Sequence, residues 1–270
     1  MDACVFVDGE NFRFSIVELF KGEFRPQDYL PSTAKWSEFF EYVRIQSNAD
    51  FLLRTYWYVV DRIDAWPYGL LKLPDEKLFK ILSKDGETAG KLNAESNIVK
   101  KSELAKKIAT QLEQEKDRMQ SRFEGWRTVQ DSIASNQDSL EFRRAGAIAY
   151  NCFTGKLLKE KAVDVKLSVD LLELKDAYKM AIIVSGDQDY VPAVQALKDY
   201  GKIVVNVAFS RKDGSLLPGG ARRLNIMTDK RITIPYEKCK ELLLGGPPVA
   251  LKSLLPTKKS GDGAQAPASV

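Results

Sequence analysis

Short apolar runs separated by polar stretches set the reading of this chain. Cys4-Val5-Phe6-Val7 is unbroken by polar residues and predicts a buried strand over 3–7; Met180-Ala181-Ile182-Ile183-Val184 predicts another over 180–184. Between and after them, apolar positions recur near helical spacing from Phe12 to Phe20, Trp36 to Ile45, Asp75 to Ser83 and Asp189 to Tyr200. Phe51 to Val60, Leu140 to Tyr150 and Ile203 to Phe209 are β-branched and aromatic, as strands are. Ala162 to Tyr178 fits both periods, and its length and Leu-Leu-Glu-Leu-Lys ending favour a helix. Strand, helix and strand again across 180–209 is a βαβ unit, so the fold class is α/β with a parallel sheet.

Turn residues punctuate the rest. Gly22, Pro26 and Pro31 mark 21–33 as a loop, and Pro67, Gly69 and Pro74 mark 61–75 as another. From Ala94 to Asn136 there is no proline and one glycine, with Ile98, Ile108, Leu112, Met119, Phe123, Trp126 and Ile133 spaced as in a long amphipathic helix or helical hairpin. Residues 61–137 therefore read as a helical insertion within a domain spanning 1–245. Its imperfect heptad favours packing on the body over dimerisation. Gly245-Gly246-Pro247-Pro248 closes the folded part, and 246–270 read as a flexible tail.

Composition narrows the chemistry. The chain has 270 residues, 44% hydrophobic and 29% charged, which suits a protein with a sizeable core and no membrane span. The sequence enters a strand at once, without a secretory signal. Cys4, Cys152 and Cys239 are odd in number and far apart, arguing against a disulfide framework or zinc site and for the cytoplasm. A net charge of +4 permits an anionic partner. There is no histidine, so acid–base and metal chemistry falls to carboxylates.

Those carboxylates stand at strand ends, where open α/β sheets keep their active sites. The first strand runs into Asp8-Gly9-Glu10-Asn11, the later one into Ser185-Gly186-Asp187-Gln188-Asp189. Each acid has a plainer role available. Asp8 or Asn11 can cap the following helix; Asp189 stands where an N-cap belongs, and Asp187 less so. Asp164 lies at the start of the next predicted helix, where the dipole favours a carboxylate. Asp170, six residues on, points well round the helix from Asp164 and reads as a supporting residue or a salt-bridge partner inside the fold. Together these acids offer only oxygen ligands, which select Mg²⁺ or Mn²⁺ over zinc or copper.

Phe6-Val7-Asp8-Gly9-Glu10-Asn11, then Lys161-Ala162-Val163-Asp164-Val165 through Asp170, then Ser185-Gly186-Asp187-Gln188-Asp189-Tyr190 resemble the three signature blocks of the NYN domain, in its LabA-like branch of the PIN-like nuclease superfamily. The resemblance covers roughly 3–60 and 139–235. It implies a Rossmann-like parallel sheet flanked by helices and a metal-dependent ribonuclease. It makes Asp8, Asp164, Asp187 and Asp189 the catalytic and metal-binding acids, with Asn11, Asp170 and Ser185 in support. Ala162 stands where the family commonly has glycine. Arg62, Trp66, Lys156, Lys161 and Arg211 are candidate RNA contacts, and Tyr68 a candidate base-stacking residue. The rival reading is a silent RNA-binding or regulatory module that uses the same cleft, with the insertion as a homodimer or partner surface. A phosphatase of the haloacid dehalogenase type needs an Asp where Glu10 stands, which counts against it.

Overall fold

The computed structural model describes residues 1–21, 30–31, 34–217 and 221–245. The tail expected over 246–270 and most of the loop expected over 21–33 lie outside them. In chain order the elements are β1 (Asp2–Asp8), α1 (Gly9–Leu19), α2 (Trp36–Ser47), β2 (Phe51–Trp66), α3 (Asp75–Leu82), α4 (Gly86–Ala94), α5 (Ile98–Ser135), β3 (Leu140–Asn151), β4 (Lys156–Lys161), α6 (Val163–Glu173), β5 (Met180–Val184), α7 (Val191–Asp199), β6 (Ile203–Ser210), β7 (Leu216–Leu217), α8 (Ala221–Met227), β8 (Lys230–Pro235) and α9 (Tyr236–Leu244).

One sheet organises them. Its parallel strands lie in the order β3-β2-β1-β5-β6-β8, with β4 antiparallel on the β3 edge and β7 antiparallel to β6. From β1 the chain builds outward through β2 and β3, then crosses back to β5 and builds the other way. The reversal falls between β1 and β5, and their C-terminal ends open the crevice where α/β sheets bind ligands. β1 and β5 read as continuous apolar runs because both faces are covered: Ala3 to Val7 and Met180 to Val184 are almost completely buried.

Gly9 fixes how α1 leaves β1. A Cβ there would stand 2.2 Å from the Tyr58 carbonyl oxygen of β2, so only glycine lets the helix start this close to the neighbouring strand.

Two elements near the site differ from the sequence reading, β7, α8, β8 and α9 fall in a stretch where no element was expected, and the alternative left open over 94–136 is resolved. β2 does not end at Val60 but runs to Trp66, pairing with β3 from Arg62–Ala147 to Trp66–Asn151. Residues 61–66 alternate between half-buried and exposed, as a one-sided strand does, and the charges of Arg62 and Asp64 disguise it. β4 falls where no element was expected. It is an edge strand, and its lysines and glutamate suit an edge while hiding the strand pattern. The 94–136 region is one helix of 38 residues from Ile98, about 57 Å long at 1.5 Å per residue. Its stripe of Met119, Phe123, Trp126 and Ile133 is buried in the common core, and Arg127 ties it to Asp61 of β2. The insertion's apolar face thus packs on the body. Among the described residues no helix is long and apolar enough to cross a membrane.

Candidate metal centre at the strand ends

Asp8 ends β1 and does two things. Its Oδ1 accepts from the Asn11 N–H at 3.1 Å, capping α1. Its Oδ2 accepts from Ser185 Oγ at 2.8 Å and lies 3.1 Å from the Tyr190 hydroxyl. The capping role and the site role therefore coexist on one side chain. Asn11 reaches the other way: its Oδ1 accepts from the Gly186 N–H at 3.0 Å, pinning the turn after β5 to the turn after β1. Ser185 Oγ, while donating to Asp8, accepts from the Asp187 N–H at 3.0 Å.

The helix after β5 starts differently from the sequence expectation. Asp187, not Asp189, is the cap: its Oδ1 accepts from the Asp189 N–H at 2.9 Å and turns Gln188–Tyr190 into a 3₁₀ turn ahead of α7. That leaves the exposed Asp189 carboxylate free of the capping bond. Carboxylate oxygens of Asp164, Asp187 and Asp189 lie within 4.8 Å of one another, close enough for one cation to be shared. The oxygen-only donor set and its uncompensated negative charge fit a hard divalent ion.

Tyr190 and Glu160 belong to the site and were not singled out from sequence. The Tyr190 hydroxyl lies 2.8 Å from Asp164 Oδ1 as well as 3.1 Å from Asp8 Oδ2. A phenol has one proton to donate, so Asp8 and Asp164 compete for it. Burial pushes the Asp8 carboxyl up to about 7, against the hydrogen bonds from Asn11 and Ser185. Asp164 is raised too, by burial and by the charges of Asp187 and Asp189. Glu160, at the end of β4, is pushed up to about 9 by burial and by the charges of Asp8, Asp164 and Glu10, and its Oε2 is buried with no hydrogen-bond partner among the described residues. The turn that brings it here is tight. Ala162 holds φ +76°, and a Cβ on Gly146 of β3 would stand 1.8 Å from the Lys161 carbonyl oxygen. The left-handed backbone at Ala162 explains why glycine suits that position.

These raised values fix the sign of a pH effect. The folded chain holds protons on Asp8 and Glu160 that the unfolded chain releases in the ordinary carboxylate range. Their stabilising contribution is therefore complete below about pH 4 and is lost as pH rises through about 7 for Asp8 and about 9 for Glu160. In chelator, the melting temperature is expected to fall by several degrees between pH 6 and pH 9. The fall should flatten in Asp8→Asn and Glu160→Gln; an equal slope in both variants would contradict this account.

Asp170 lies elsewhere. Fully buried on the far side of α6, it accepts from Tyr58 Oη at 2.9 Å and Lys166 Nζ at 2.7 Å, and pairs with Arg143. Burial opposes its charge, but these three donors hold the carboxyl below its usual range. Of the candidate RNA contacts, Lys161 is exposed at the rim of the acidic crevice. Arg62 pairs with Asp64 at 3.1 Å, Trp66 packs against Phe153, and Lys156 is exposed at the start of β4. Arg211 lies beyond the end of β6, its side chain 3.4 Å from Ser215 Oγ. Tyr68 is 72% exposed.

A Vibrio parahaemolyticus protein of unknown function with a known crystal structure is similar at 14% identity, over 86% of this chain and 92% of that one, with a TM-score of 0.42. No curated protein shows significant sequence similarity. The NYN domain, by contrast, matches residues 2–217, a span that takes in the signature blocks and the helical insertion between them. With Asp8, Asp164, Asp187 and Asp189 gathered at the reversal of its sheet, this chain belongs to the NYN domain family of PIN-like nucleases.

Proposed function

We propose that the chain is a metal-dependent ribonuclease cutting within RNA, in the LabA-like branch of its family, and that Asp8, Asp164, Asp187 and Asp189 are its working acids. The observation that carries this is the convergence of Asp164, Asp187 and Asp189 oxygens within 4.8 Å at the sheet's topological switch point. Asp164, Asp187 and Asp189 would hold Mg²⁺ or Mn²⁺, with Asp8 behind them. The cation supplies the positive charge that a phosphodiester transition state requires, and makes water a competent nucleophile at neutral pH.

The chain's own residues do the rest. Asn11 and Ser185 lock the two strand-end turns together, holding Asp8 and Asp187 in fixed relation. The Tyr190 hydroxyl bridges Asp8 and Asp164; burial raises its pKa well above 10, so it remains a donor at working pH. Glu160, crowded against Asp164, is the further carboxyl able to hold or release a proton beside the reacting phosphate. Lys161 at the rim supplies positive charge toward the RNA backbone.

End-labelled single-stranded RNA incubated with purified protein and Mn²⁺ is expected to be cut to products with 5′-phosphate and 3′-hydroxyl ends, and chelator should abolish cutting. Binding without chelator-sensitive cleavage would support the silent RNA-binding module instead.

A further inference from the structure

Beside the acidic trio the surface becomes aliphatic. A groove of about 690 Å³ runs from Asp164 and Asp189 along α6, over Val165, Val169 and Leu172, with Pro192 of α7 on its other wall. Val165 is 64% exposed and Val169 41% exposed. Spaced four apart, they share one face of α6, the helix whose first turn presents Asp164. Val169 stands only about 7.5 Å along the helix axis from Asp164 at 1.5 Å per residue. Ser168 is a polar member of the wall, and Lys161 stands at the rim.

We propose that this groove seats the nucleoside attached to the scissile phosphate. The proposal rests on the ribonuclease reading and adds where substrate selection takes place. A phosphodiester bound by the cation that Asp164, Asp187 and Asp189 would hold carries a nucleoside on each side. The groove shares Asp164 and Asp189 with that site, so one of the two nucleosides lies against the α6 face. The wall's chemistry fits a base and sugar rather than a phosphate: it is mostly aliphatic, and its cation sits at the rim. It also fits weak discrimination among bases. Among the described residues no aromatic ring lines the groove, and away from its acidic end, where Glu160, Asp164 and Asp189 stand, and from Lys161 at the rim, the Ser168 hydroxyl gives little hydrogen-bonding with which to read a base edge. The face of the base contributes, its identity does little.

An abasic scan tests this. In a series of end-labelled single-stranded RNAs of one sequence, a single abasic residue is moved across the cleavage position. Wild-type protein in Mn²⁺ is expected to lose about tenfold or more in kcat/KM when the abasic residue adjoins the scissile phosphate on one side, and little elsewhere. The Val165→Ser, Val169→Ser double variant should cut the intact RNA about tenfold less efficiently, chiefly through KM. It should show no further penalty with the abasic substrate, and its Mn²⁺ affinity by calorimetry and its melting temperature should match wild type. Cleavage by wild type that is indifferent to the abasic position, or a double variant that keeps the full abasic penalty, overturns the groove assignment and leaves the nuclease reading standing. Absence of Mn²⁺-dependent cleavage of any RNA sinks both.

Discussion

Asp164→Asn and Asp187→Asn are each expected to lower Mn²⁺-dependent RNA cleavage by at least about a hundredfold while the protein stays folded. The magnitude follows from the chemistry. A cation at a phosphodiester is worth several kcal/mol of transition-state charge stabilisation, and each ~1.4 kcal/mol lost is a factor of ten in rate. Removing one of three converging carboxylates weakens or misplaces that charge. Folding should survive because the amide oxygen keeps the structural bonds. In Asp187→Asn that oxygen still caps the 3₁₀ turn by accepting from the Asp189 N–H, and in Asp164→Asn it still accepts from Tyr190. Asp8→Asn makes the sharper comparison. It removes a charge whose burial is unfavourable, yet retains an acceptor for the Asn11 N–H. In chelator at pH 8 it should melt no lower than wild type, and higher if the burial account is right, while cleavage falls. Cleavage assays beside thermal melts decide it. Equal cleavage by wild type and all three variants would mark the activity as a contaminant and end the nuclease proposal.

The parallel core was legible because buried parallel strands write themselves as unbroken apolar runs. Cys4 to Val7 and Met180 to Val184 needed no tertiary information, and the acids following them could be placed at the sheet's edge by counting residues. What stayed hidden depended on partners distant in sequence. The 61–66 extension of β2 alternates charged with apolar residues, and only its pairing to β3 makes it a strand. β4 is short and charged because it lies at an edge; Glu160, the acid it delivers, stood unnoticed four residues before Asp164. Tyr190 lay inside a recognised motif, but its hydroxyl acquires meaning only from the convergence of Asp8 and Asp164 on it. The exchange of capping roles between Asp187 and Asp189 turned on a 3₁₀ turn that periodicity does not reveal. The exposed valines of α6 sat in a segment whose mixed periodicity allowed two readings, so their common face was invisible until the helix was settled.

Asp170→Ala is expected to destabilise the fold by about 3–5 kcal/mol, a fall of roughly 10 °C in melting temperature for a chain this size, while leaving Mn²⁺ affinity at the strand ends unchanged. Asp170 is completely buried, and three donors converge on it: the Tyr58 hydroxyl, Lys166 and Arg143. Arg143 is further held by Glu141 and lies 4.1 Å from the Tyr56 ring centroid, so it cannot swing to solvent without giving up those contacts as well. Alanine leaves the fully buried Tyr58 phenol without its acceptor and strips the partly buried Arg143 guanidinium of one of its two carboxylates, and that uncompensated desolvation sets the size of the loss. Lys166, on the exposed side, can turn to water and adds little. Asp170→Asn separates charge from hydrogen bonding: it keeps one acceptor for Tyr58 and loses the ion pairs, so it should fall between wild type and alanine. Calorimetric Mn²⁺ titration beside the melts distinguishes the two roles open to this residue. A carboxylate that braces α6 against β2 and β3 moves the melting temperature and leaves the ion's affinity alone. One that orients the metal site weakens Mn²⁺ binding at a temperature where the variant is fully folded, and that result would move Asp170 into the functional centre.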